Sequence, residues 1–138
     1  MIGKSVGSKL NVLGTQLKLC CSSPMTGWFR DGYCRTDDND QGKHIVCAYV
    51  TAEFLAFSKS RGNDLSTPRL PHFQGLKEGD KWCLCASRWQ EAYEHGKAPL
   101  VDLEATQSEA LHYSSLEALG KHALTHTQMK QAENLVSK

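Results

Sequence analysis

The chain has no long apolar run, no excess of either charge, few prolines and no internal repeat. Each absence narrows its function. Its apolar stretches are short, HIVCAYV among them, and MIGKSVGSKL at the N-terminus lacks the apolar block of a signal peptide, so a soluble, cytoplasmic protein with no membrane partner is expected. Sixteen Lys and Arg stand against 15 Asp and Glu, a formal charge of +1, which leaves no field to gather nucleic acid. The GxGxxG, P-loop, GxSxG and HExxH patterns are absent, and with them the support for the standard nucleotide, hydrolase and metalloprotease assignments.

The chain does hold 138 residues, enough to bury a real core as one domain, and six cysteines. Residues 1–10 read as a flexible lead-in, 11–123 as a single domain and 124–138 as a polar tail or frayed helix. NVLG at 11–14 suggests a short first strand. Asp31-Gly32 inside GWFRDGYCR has the chemistry of a two-residue hairpin turn. TDDNDQGK, 36–43, reads as a solvated loop; a calcium loop fails because its twelfth position is Ala48, where a bidentate Glu is required.

HIVCAYV suits a buried strand, after which Thr51 caps a helix with Ala52, Phe54, Leu55 and Phe57 inward and Gly62 as its stop. NDLSTPRLPHFQG is a long irregular loop. LKEGDKWCLCA returns to strand, Ser87 and Gln90 form a capping box for the next helix, PLVDLEAT reads as strand, and Ser114 with Glu117 starts a further helix. Strands and helices alternate without regular βαβ units. The fold class is therefore α+β: a compact two-layer domain with short strands, one hairpin and about three helices.

In KWCLCASRW the period of a strand sets Cys83 and Cys85 on one face, with α-carbons about 6.6 Å apart, too far for an easy mutual disulfide. Without an export signal the six cysteines favour free thiols, metal or catalysis over bridges. Cys85 lies just before the helix start, whose positive end and Arg88 favour a thiolate. Buried, inert thiols are the plain competitor. CxC is not the usual zinc spacing; Cys20, Cys34, His44, Cys47, Cys83, Cys85 and His72 join in a metal site only if the fold gathers them. Asn63, Asp64, Ser66 and Thr67 cluster between Gly62 and Pro68, where they either cradle a ligand or close an Asx turn.

NVLG, Cys20, PMTG (24–27), RDG (30–32), Cys34, HIVCA, TAEFL, GNDLSTP (62–68) and GLKEGDKWCLCASRW (75–89) together resemble the family called domain of unknown function 2237. The resemblance runs from about residue 11 to 123 and implies a small stand-alone α+β domain with no established reaction. Gln107 and Gln74 depart from it, standing where the family pattern carries His and Pro; Cys21 is an addition of this chain.

The residues favour a small ligand-binding protein or enzyme with a polar, thiol-containing pocket. Cys85, Asp64 and Arg88 are its catalytic candidates. Arg30, Asp31, Asn63, Ser66, Thr67, Trp82 and Cys83 are its ligand-binding candidates. Zinc held by the Cys and His set, and an interaction module with structural thiols, are the alternatives. A small molecule is the expected partner; cofactor and oligomeric state are not legible.

Overall fold

The computed structural model describes residues 10–22, 24–71 and 73–137. Residues 1–9 of the lead-in expected over 1–10, and His72, lie outside them; Leu10 bridges Gln16. The elements are β1 (His44–Tyr49), α1 (Ala52–Ser60), β2 (Lys81–Cys85), α2 (Ala86–Glu94), β3 (Leu100–Val101), α3 (Leu116–Lys121) and α4 (His126–Val136), with 3-10 turns at Leu103–Ala105 and Ser108–His112. This is an α+β domain built on a three-stranded antiparallel sheet of order β2-β1-β3.

The central strand is the most apolar word of the chain, and Ile45 through Ala48 are buried. It pairs with β2 along one edge and with the two residues of β3 on the other, where Gln107 N–H also donates to the Ile45 carbonyl, Asp102 N–H to that of Cys47, and the Thr106 hydroxyl accepts from Cys47 N–H. The Thr51 hydroxyl accepts from the Phe54 N–H at 3.0 Å and starts α1, which buries Phe54 and Leu55; Ala52, expected inward, faces solvent. Gly62 follows with φ +90°, the left-handed stop that a helix end favours. Helix α2 buries Trp89, whose indole N–H donates to the Pro99 carbonyl at 3.2 Å while its ring stacks on Tyr93.

Several local expectations change. The segment 27–35 forms a series of turns instead of a hairpin, because Gly27 and Gly32 take φ of +100° and +88° and Asp31 pairs with Arg35. The strand over 99–106 is only Leu100–Val101; Leu103–Ala105 turn into a 3-10 helix. Helix α2 starts at Ala86 with Cys85 as its N-cap and no side-chain cap bond, so Ser87 is already helical. Ser115, not Ser114, caps α3 by accepting from Ala118 N–H. NVLG enters the core through Val12 and bridges Gln107 without forming a longer strand.

The segment beyond 124 is the helix α4. It is tied down by the buried Gln128, which accepts from Leu103 N–H at 2.7 Å and donates to Asp102 at 2.9 Å. Gly120 of α3 allows the close approach: a Cβ there would lie 2.8 Å from that of Ala132.

Four cysteines are bridged, contrary to the expectation of free thiols. Cys20 bonds Cys47 and Cys34 bonds Cys83, while Cys21 and Cys85 are free. Strand pairing sets Cys47 opposite Cys83, and the ends of the 20–34 loop reach in to take one sulfur each. That convergence comes from the fold, and sequence spacing carries no trace of it.

Candidate functional site

At its start β1 carries a bulge. His44 is the partner of Cys85 and Val46 that of Leu84, so β1 advances two residues where β2 advances one. Lys43, at φ +49°, makes the kink, and its carbonyl accepts from both Ile45 and Ala86. The result sets an imidazole and a free thiol opposite each other at the point where β2 becomes α2.

His44 is held on three sides. Asp40, fully buried although it belongs to the TDDNDQGK loop expected to be solvated, meets the ring Nδ1 at 2.7 Å and accepts from the His44 backbone N–H at 3.0 Å. The Thr36 hydroxyl donates to the same carboxylate at 3.1 Å. Trp28 stacks parallel to the imidazole, with centroids 6.3 Å apart. Gly42 lies against the ring edge, where a Cβ would come within 2.7 Å of Cε1.

Burial alone would raise the Asp40 carboxyl. The two His44 hydrogen bonds, the positive charge of the ring when it is protonated and the Thr36 hydroxyl outweigh it and hold the group below the usual carboxylate range. An ionised Asp40 only accepts, so Nδ1 carries a hydrogen and a neutral His44 keeps its lone pair on Nε2.

His44 and Cys85 line one cavity of about 210 Å³ with Trp28, Arg30, Asn63, Leu65, Trp82, Cys83 and Leu84. Cys85 is half-buried, and its Sγ lies 3.2 Å from Ser87 Oγ. Arg30 sits at φ +54°, a region unfavourable to a side-chain-bearing residue. Its Nη1 donates to the Gly27 carbonyl at 2.6 Å and its guanidinium lies 5.4 Å from the centre of the Trp82 ring. A second cavity, about 460 Å³, also uses Arg30 and Trp82 and is closed by Phe73, Gln74 and Gly75.

Of the candidates from sequence, Arg30, Asn63, Trp82, Cys83 and Cys85 thus share one wall. Asp64 closes an Asx turn, accepting from the Thr67 hydroxyl at 2.6 Å and from the Ser66 hydroxyl and N–H. These bonds, the Thr67 hydroxyl first, hold its carboxyl well below the ordinary value. Ser66 and Thr67 are spent on Asp64. Asp31 is engaged by Arg35 at 2.6 Å and by Tyr33 N–H. Arg88 donates to the Arg61 carbonyl and faces Glu91. Sequence reasoning missed Asp40, Trp28 and Gly42; the i, i+4 spacing of Asp40 and His44 was the only available signal.

The chain belongs to the family described as an uncharacterized protein conserved in bacteria, domain of unknown function 2237, which matches residues 10–123. No curated protein matches it. Among the described residues no helix is long and apolar enough to cross a membrane.

Proposed function

We propose that the protein is a thiol enzyme that transfers or hydrolyses an acyl group on a small anionic substrate. Cys85 is the nucleophile, His44 the base, Asp40 the residue that positions it, and Arg30 the holder of the anionic group. The observation that carries this reading is the placement of His44, anchored on an ionised buried carboxylate, as the cross-strand partner of the free Cys85 on one cavity wall.

In this scheme His44 Nε2 takes the thiol proton as sulfur attacks the acyl carbon. The leaving group departs with that proton, and the resulting thioester passes its acyl group to water or another acceptor. The guanidinium over Trp82 supplies charge without needing a second cation on the wall.

The test treats the native protein with the 4-nitrophenyl monoester of a short dicarboxylic acid. Release of nitrophenol with an acyl adduct on Cys85, lost in Cys85→Ser and slowed about 10²-fold or more in His44→Gln, is expected. Equal labelling of Cys21 and Cys85, indifferent to His44→Gln, would overturn it.

A further inference from the structure

A second site lies two strand positions from the first and does not depend on it. The Sγ atoms of Cys20, Cys34 and Cys47 all lie within 4.8 Å of one another, and that of Cys83 is bonded to Cys34. All four cysteines are buried, at 5% exposure or less. Three sulfurs thus form one cluster and the fourth is bonded to a member of it, all drawn from three separate segments: the two ends of the 20–34 loop, β1 and β2.

We propose that this cluster, when its two bridges are reduced, is a structural Zn(II) site with Cys20, Cys34, Cys47 and Cys83 as its four ligands. A tetrahedral zinc with bonds of about 2.3 Å separates its sulfurs by about 3.8 Å, within the spread that three of them already show. Reduction breaks both S–S bonds and frees the four side chains to turn toward that separation. The donor set is sulfur alone, which selects zinc over the oxygen-seeking Mg(II) and Ca(II), and four protein ligands leave no open position, the mark of a structural site.

Two equivalents of a dithiol reductant give four electrons and four protons to the bridges and leave as two disulfides; Zn(II) then displaces the four thiol protons. Either form ties the 20–34 loop to the sheet, so the fold has a sulfur anchor in both oxidising and reducing surroundings.

The experiment uses the full chain, reduced by a dithiol without oxygen, stripped of metal and titrated with Co(II) and then Zn(II). One Co(II) per chain, with the visible bands and sulfur charge-transfer absorption of a tetrahedral thiolate site, bleached by one Zn(II), is expected. The signal should vanish on reoxidation, weaken sharply in Cys34→Ser, and survive in Cys85→Ser and His44→Gln. Intact mass and alkylation count the thiols beforehand, so the wild-type result stands even where Cys34→Ser does not fold. Reduced protein with all its thiols free that takes up no stoichiometric Co(II) or Zn(II), or loses uptake in Cys85→Ser, would overturn the assignment.

Discussion

Asp40 grips His44 twice, at its ring Nδ1 and at its backbone N–H, with a carboxylate that no solvent reaches. A side chain held at both ends of its rotamer has one orientation to offer. That constraint distinguishes His44 from the exposed His95 and His112.

Asp40→Asn keeps the shape but loses the charge. Because the folded carboxyl sits below its unfolded value, Asp40 contributes stability that is present above the usual carboxylate range and lost as pH falls through the lower folded value. The variant should be less stable than wild type by about 1–3 kcal/mol at pH 7, with the gap closing in acid. Urea unfolding at a series of pH values measures this; a pH-independent difference would mean that Asp40 is not held ionised.

Gly42→Ala drives a methyl group to 2.7 Å from His44 Cε1. The imidazole must rotate off Asp40 or Trp28, an overpacking cost of about 1–3 kcal/mol. Acylation of Cys85 should fall with the displaced ring even at temperatures where the variant is fully folded. Unchanged reactivity at Cys85 would show that the ring orientation does not matter to the thiol.

Arg30→Gly relieves a left-handed residue at a cost of one hydrogen bond and the Trp82 contact. These terms oppose each other, so unfolding free energy should move by less than about 1 kcal/mol. Reaction with the anionic ester should drop about 10-fold while a neutral ester of the same size reacts as before. Equal losses for both esters would assign Arg30 to structure alone.

The bridges Cys20–Cys47 and Cys34–Cys83 span separations of 27 and 49 residues. Loop-closure entropy predicts that each contributes about 4 kcal/mol to the oxidised protein. Cys20→Ser with Cys47→Ser, unfolded by urea under oxidising conditions, should lose close to that amount. A loss under about 1 kcal/mol would indicate that the unfolded chain gains little freedom from the open bridge.

What the sequence made legible was what local chemistry dictates. The apolar run from Ile45 to Ala48 had to be buried, and Thr51 and Gly62 bracket α1 because a cap and a left-handed stop act over a few residues. The Arg30, Asn63, Trp82 and Cys85 grouping was also within reach, as three distinctive words that the fold brings together. Asp40 was not: a run of Asp, Asn and Gln reads as solvated, and the carboxylate that turns inward is held by the Thr36 hydroxyl and by the ring and backbone N–H of His44. The disulfide partners were equally hidden, since six cysteines allow many pairings and strand register decides among them.

The loop from 20 to 34 carries Trp28 and Arg30 into the cavity and is fixed to a different strand at each end. A wall anchored in this way does not splay to admit a bulkier guest, nor does it need ordering when a fitting one arrives. Under the proposed function the cavity would therefore act as a gauge, sorting substrates by width before any charge or thiol has acted on them.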